Sequence, residues 1–287
     1  MADKDTFFSK KANININGEL IDISEPCVMG IINVTPDSFY SASRFFDEES
    51  IFNRTKQILN EGAKFIDIGA YSSRPGSILI DEKTEKERLS LALTSIRNHF
   101  PNALLSIDTF RANIAEWAVG EYSVGIINDI SGGTLDEKMF STIAKLQVPY
   151  VLMHMRGTPN TMQNLTEYKN LVKEIIAELS IRIYKLHELG VNDIIVDPGF
   201  GFAKTLEQNY ELLKSLDVFR ILELPLMVGV SRKSMIYKLL DISPGEALNG
   251  TTVLNTVALL KGANILRVHD VKEAVETIRI VNAAKLI

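Results

Sequence analysis

The sequence predicts a single (β/α)8 TIM barrel with an N-terminal β-hairpin, and three observations carry that expectation. Eight short apolar runs recur along the chain, segments with helical spacing separate them, and each run ends in polar residues. Compact apolar runs without clean in–out alternation suit strands buried on both faces of a parallel sheet. Serial βα units form either a closed barrel or a doubly wound sheet. The count of eight, with no Gly-x-Gly-x-x-Gly after the first run, favours the barrel.

Residues 1–25 read as an extension and hairpin, and residues 26–287 as the barrel. Ile14 and Ile16, then Asn17-Gly18, then Leu20, Ile21 and Ile23 predict two short strands about a tight turn, capping the barrel floor. Barrel strands are expected over 27–32, 65–68, 104–107, 125–127, 150–153, 194–196, 226–230 and 265–268. Thr84 with Glu87 reads as a capping box before Leu89, Leu91, Leu93 and Ile96, and Thr205 with Gln208 as another before Leu212, Leu213 and Leu216. Between strands five and six, apolar residues from Leu171 to Leu186 keep helical spacing and stop before Gly190, a suitable helix terminator.

The chain has 287 residues, 46% apolar and 23% charged, with 31 basic against 36 acidic residues for a net charge of −5. One barrel of about 250 residues plus an extension accounts for that length as well as two average domains would. A chain of this size buries roughly three quarters of its unfolded surface and needs no disulfide or structural metal. Cys27 is the lone cysteine, so no internal disulfide can form, and a reduced cytoplasm is the expected compartment. The first eleven residues hold no apolar signal core, and no run approaches the ~18 apolar residues of a membrane span. The absence of any block of five or more Lys or Arg argues against a broad nucleic-acid surface. A small anion at a local basic cluster remains compatible.

Barrel enzymes carry their chemistry at the C-terminal ends of the strands. The residues ending the runs are, in order, Asn33; Asp67 and Gly69; Asp108; Asn128 and Asp129; His154; Asp197; Ser231 to Lys233; and Arg267 and His269. Such a polar ring costs desolvation unless its groups find partners, and so reads as a site. Two readings stay open for individual members. Asp67 and Asp129 can each be a helix N-cap, and Arg74, Lys233 and Arg267 can each neutralise a carboxylate. Together with His154 and His269, the same cations suit an anion.

Asp108, Asn128, Asp197 and Lys233 offer donors and acceptors for a heterocycle with an amide-like edge. After Asp197, the run Pro198-Gly199-Phe200-Gly201-Phe202 combines close backbone approach with aromatic walls for a planar ligand. The polar loops 33–39 and 72–76 read as lids or binding loops. His99 and His187 fall in helical segments and read as surface or packing residues.

The motifs, in order, are Met29-Gly30-Ile31-Ile32-Asn33-Val34-Thr35-Pro36-Asp37-Ser38-Phe39, Ser72-Ser73-Arg74-Pro75-Gly76, Ser106-Ile107-Asp108-Thr109, Asn128-Asp129-Ile130-Ser131-Gly132-Gly133, Met153-His154-Met155-Arg156-Gly157, Asp197-Pro198-Gly199-Phe200-Gly201-Phe202, Gly229-Val230-Ser231-Arg232-Lys233-Ser234 and Arg267-Val268-His269-Asp270. Through them the chain closely resembles the dihydropteroate synthases, pterin-binding barrel enzymes of bacterial folate biosynthesis, from about residue 26 onward. The resemblance implies a transferase that condenses 6-hydroxymethyl-7,8-dihydropterin pyrophosphate with para-aminobenzoate, releasing pyrophosphate. It also implies Mg²⁺ as cofactor, a homodimer, and a site where sulfonamides compete.

By the same motifs, Asp108, Asn128, Asp197 and Lys233 would hold the pterin, with Ile130, Met153 and Phe202 shaping its slot. Asn33 would meet Mg²⁺ and the diphosphate, and Arg267 and His269 its phosphate oxygens. Ser73, Arg74, Pro75, Phe202, Lys233 and Ser234 would form the para-aminobenzoate side. Asp108, Lys233, Arg267 and His269 would carry catalysis, which needs no nucleophilic side chain, and no Cys-His or Gly-x-Ser-x-Gly arrangement is present.

Two positions depart from the resembled pattern: where the family commonly reads Gly-Glu-Ser-Thr-Arg, Tyr71 replaces the acid and Ser73 the threonine. The rival readings are a methyltetrahydrofolate-binding methyltransferase barrel, which should lack the Arg74 loop and the Arg267/His269 pair, and a non-catalytic pterin-binding paralogue, which should have lost Arg74, Lys233 or Arg267. A metal-dependent amidohydrolase would want His-x-His at strand one, where Asn33 stands instead.

Overall fold

The computed structural model describes residues 13–35, 48–71 and 80–284. Strands β1 (Asn13–Ile16) and β2 (Glu19–Asp22) form the expected antiparallel hairpin. Asn17 and Gly18 take φ of 53° and 86°, the left-handed pair that a tight two-residue turn requires.

The barrel strands are β3 (Cys27–Asn33), β4 (Phe65–Gly69), β5 (Leu105–Asp108), β6 (Ile126–Asp129), β7 (Tyr150–Met153), β8 (Ile194–Asp197), β9 (Met227–Val228) and β10 (Ile265–Val268). They pair in parallel in the order β8-β7-β6-β5-β4-β3-β10-β9, and a parallel bridge between Val196 and Leu226 joins the two edges. Across that seam Val196 N donates to Pro225 O at 2.8 Å. Strand β9 is shorter than the expected 226–230. The chain turns out of the ladder at Val230, whose carbonyl accepts from Lys233 N at 3.1 Å.

Helices α1 (Glu48–Asn60), α2 (Glu82–His99), α3 (Ala112–Tyr122), α4 (Met139–Leu146), α5 (Leu171–Glu188), α6 (Leu206–Lys214), α7 (Ser234–Leu240), α8 (Leu248–Leu260) and α9 (Val271–Ala283) follow the barrel strands, one after each except β9, which is followed by both α7 and α8. Their apolar faces share one core with alternate strand residues: Ile58, Leu89 and Leu93 join Ile66 and Ile68. At α2 the structure corrects the expected cap. Asp81 is the N-cap and accepts from Thr84 N at 2.7 Å, so the helix begins before Thr84 and no Thr84–Glu87 box forms. A carboxylate there also complements the positive end of the helix dipole. At α6 the Thr205–Gln208 box is present. At the end of α5, Gly190 N donates to His187 O and Val191 N to Leu186 O, with Gly190 at φ 81°, a Schellman closure.

Inside the barrel, Met29, Phe65, Ile126, Val151, Ile195, Met227 and Ile265 form a second core with Ile14, Ile16 and Ile23 of the hairpin segment. Gly125 makes this docking possible, because a Cβ there would lie 2.3 Å from Ile16 Cγ2. The hairpin therefore plugs the N-terminal end of the barrel, and the polar residues collect at the other.

Candidate active site

Strand register sets one polar layer at the C-terminal mouth: Asn33 pairs with Gly69, Gly69 with Asp108, and Asp108 with Asn128. Asp67 points inward two residues earlier on β4, level with Ser106. Asp67 is fully buried and accepts from Ser106 Oγ at 2.6 Å, Asn128 Nδ2 at 3.0 Å and Arg267 Nε at 2.6 Å. Of the two readings open for it, the N-cap is excluded. Asp129 is no helix cap either. Its carboxylate accepts from Ser131 N and Oγ, Gly133 N and Tyr150 OH, folding its own loop.

Arg267 spans the mouth, with Nη2 reaching Asp108 Oδ2 at 2.8 Å while Nε holds Asp67. It thus neutralises carboxylates, as its second reading allowed. Burial works against its charge, but Asp67 and Asp108 raise its pKa above the ordinary arginine value. Asp108 is buried, which raises its carboxyl to about 6 against the opposing pull of Arg267. Its other oxygen accepts from Tyr71 OH at 2.9 Å.

Asp197 ends β8, where its Oδ1 accepts from Gly199 N at 2.7 Å. Burial raises its pKa, opposed by Lys233. Burial also lowers the Lys233 amine to about 8, although Asp197 favours its charge. Lys233 Nζ donates to Phe200 O and lies 4.8 Å from the Phe202 ring centroid. Phe202, Ile130 and Met153, all expected in the slot, share one buried apolar cluster with Tyr71, Phe110, Met155 and Met162. Ser234 opens α7 directly after Lys233.

His269 follows β10 with its ring Nδ1 3.2 Å from Ser231 Oγ, and its carbonyl accepts from Arg54 Nη2 at 2.6 Å. Burial first, then Arg267, lowers its pKa to about 4. It is a neutral hydrogen-bonding group at pH 7, not a cation.

His154 does not join the anion-binding set expected of it. Its enclosed ring lies between α5 and the loop after β8, with Nε2 3.1 Å from Glu178 and Nδ1 3.2 Å from Lys204 Nζ. Burial lowers its pKa to about 4, so Nδ1 accepts from the lysine and Nε2 donates to the carboxylate. Lys204 also donates to Gly199 O and Phe202 O at 2.9 Å each, pinning the loop that carries Phe202. Gly199 has to be glycine there: its φ is 74°, and a Cβ would lie 2.0 Å from His154 O.

Lys204, Glu178 and Ser106 escaped sequence reasoning. The alignment of Ser106 with Asp67 emerges only from register. His99 and His187 are exposed on helices, as expected. Ser73, Arg74 and Pro75, with most of the 33–39 loop, lie outside the described residues.

Among the described residues, no group of three or more His, Cys, Asp or Glu could hold a metal ion. The Asn33 carboxamide, half-buried at the edge of the polar layer, offers one hard oxygen. That fits Mg²⁺ arriving on a diphosphate, since Mg²⁺ keeps several waters and takes few protein ligands.

A barrel closed at one end, with a buried carboxylate–amide–guanidinium cluster and an aromatic wall at the other, defines an enzyme for a flat polar heterocycle. The pterin binding enzyme family matches residues 29–269, and the chain belongs to that family. It is 40% identical to the dihydropteroate synthase of Synechocystis sp. over 259 residues, 89% of either chain. With that of Escherichia coli K12 it shares 38% identity over 269 residues, 93% of this chain and 94% of the other. The crystal structure of Yersinia pestis dihydropteroate synthase with a sulfonamide drug has a TM-score of 0.89 at 36% identity, covering 96% of this chain and 100% of that one. The Xanthomonas albilineans enzyme with 4-aminobenzoic acid has a TM-score of 0.88 at 30% identity, covering 96% and 99%.

Proposed function

We propose that this protein catalyses the dihydropteroate synthase reaction, joining 6-hydroxymethyl-7,8-dihydropterin pyrophosphate to para-aminobenzoate in folate biosynthesis. The observation that carries the reading is the linked set Asp67, Asp108, Asn128 and Arg267, set against Ile130, Met153 and Phe202 at the barrel mouth.

In this reading Asp108, Asn128, Asp197 and Lys233 bind the polar edge of the pterin, and the apolar cluster takes its face. Arg267, His269 and Asn33 receive the diphosphate. Mg²⁺, when bound, neutralises charge on the leaving diphosphate. The bond between the pterin methylene carbon and the diphosphate oxygen breaks first, and its electron pair leaves with pyrophosphate. Asp108 steadies the pterin cation that remains. The amine nitrogen of para-aminobenzoate then bonds to the methylene carbon and loses a proton. Ser73, Arg74, Pro75, Phe202, Lys233 and Ser234 hold that second substrate, and a sulfonamide would compete there.

The reading also expects a homodimer in the cytoplasm. Exposed Leu239, Leu240, Val253, Leu260 and Ile280 on α7, α8 and α9 supply apolar surface for such a contact. No described helix is long and apolar enough to cross a membrane. Purified protein mixed with both substrates and Mg²⁺ should release pyrophosphate in step with dihydropteroate. Pyrophosphate release that ignores para-aminobenzoate would contradict the reading.

A further inference from the structure

Asp108 is engaged at both carboxylate oxygens: Arg267 Nη2 holds Oδ2 at 2.8 Å, and the Tyr71 hydroxyl donates to Oδ1 at 2.9 Å. Tyr71 lies just beyond β4 and is buried, its ring edge-on to Phe110 with centroids 5.3 Å apart at 81°. The ring belongs to the same apolar cluster as Ile130, Met153 and Phe202, so packing fixes where the hydroxyl points. The charged groups acting on it are Asp108, Asp129, Arg267 and Arg111; burial foremost, with the two carboxylates, holds the phenol protonated well above its ordinary range.

We propose that Tyr71 is a positioning residue for the reaction, its hydroxyl fixing the Asp108 carboxylate beside the pterin cation. This rests on the functional reading above. Burial and the neighbouring Asp67 favour a protonated Asp108, whereas Arg267 and Tyr71 favour the carboxylate. A second cation at Oδ1 would cancel the negative charge that the developing cation needs. A neutral phenol steadies the carboxylate and leaves that charge in place. The acid common at this position in the resembled family could not donate from its ionised form.

Tyr71→Phe keeps the ring against Phe110 and removes only the hydroxyl. Pyrophosphate release should show kcat falling roughly tenfold, the scale of one hydrogen bond to a charged group, with either KM within about twofold. In an Asp108→Asn background the same change should cost less than about twofold, because the group it acts through has gone. Equal losses in both backgrounds, no loss in the first, or a rise in KM that tracks a fall in melting temperature would each overturn the proposal. Failure of the unaltered chain to release pyrophosphate would instead overturn the functional reading, and this inference with it.

Discussion

Arg267 Nε lies 2.6 Å from Asp67 Oδ2, and that one oxygen also accepts the Asn128 amide. Asp67 therefore sets the orientation of two groups at the barrel mouth at once without itself lining the apolar slot. Asp67→Asn keeps the size of the side chain and removes its charge. Arg267 would retain only Asp108, and the Asn128 amide would meet another amide. Removing one member of a buried pair costs roughly 3–5 kcal/mol. With Asp108 remaining as a partner, we expect the lower end, about 3 kcal/mol, by urea unfolding. A cost below about 1 kcal/mol would mean that Asp108 alone satisfies the guanidinium.

Catalysis should need Asp108 ionised and Lys233 charged, so kcat/KM should be bell-shaped in pH. Asp108, raised to about 6, sets the acid limb, where activity falls as the carboxylate gains its proton. Lys233, lowered to about 8, sets the alkaline limb, where the ammonium is lost. Asp108→Asn should lower kcat roughly 100- to 1,000-fold, the scale of removing one preorganised electrostatic group. A pH profile flat between 5 and 9 would contradict both assignments.

The strands are legible in the sequence because a run buried on both faces must be apolar throughout. Hence the runs 150–153 and 265–268 coincide with β7 and β10. Local chemistry is legible too: the partners in the Thr205–Gln208 box are three residues apart. Asp67 is not, because an acid near the end of a strand can be taken for the cap of the next helix, and its guanidinium partner lies 200 residues away. His154 misleads for a related reason. A polar residue ending a strand can turn into the mouth or outward toward a helix, and only Glu178 and Lys204 reveal which.

The His154 contribution to stability should be lost on mild acidification. His154 is lowered to about 4 by burial, against an ordinary value near 6.5. Between those values the unfolded chain takes up a proton that the folded chain refuses, so its contribution is full above pH 6.5 and is lost progressively toward pH 4. The scale is about 1.4 kcal/mol per pH unit at most. Buried Asp108, Asp129 and Asp197, all raised, oppose this by gaining from protonation. The difference between the unaltered chain and His154→Gln isolates the histidine: the variant's urea midpoint should change less between pH 6.5 and 5. Parallel curves would show that His154 is not the titrating group.

Asp197 and Arg74 should separate binding from turnover. Asp197→Ala removes the carboxylate that accepts from Gly199 N and faces Lys233, leaving a half-buried ammonium short of its partner. Calorimetric affinity for the dihydropterin pyrophosphate should drop roughly 100-fold. Arg74→Ala should leave that affinity nearly unchanged while turnover with para-aminobenzoate collapses. Equal damage to both quantities in both variants would remove the proposed division between the two substrate sides.

Mg²⁺ should act through the diphosphate and not through a protein cage. Asn33 offers one oxygen, and no group of three or more His, Cys, Asp or Glu among the described residues could hold the ion alone. An ion that relies on substrate oxygens has little affinity for the empty protein and none for a pterin without phosphates. Calorimetry should therefore show Mg²⁺ tightening the binding of the pterin pyrophosphate and leaving 6-hydroxymethyl-7,8-dihydropterin unchanged. Asn33→Ala should shrink the Mg²⁺-dependent gain without weakening the free pterin. If Mg²⁺ tightened both ligands equally, the ion would have to sit on the protein, and the role given to Asn33 would fall.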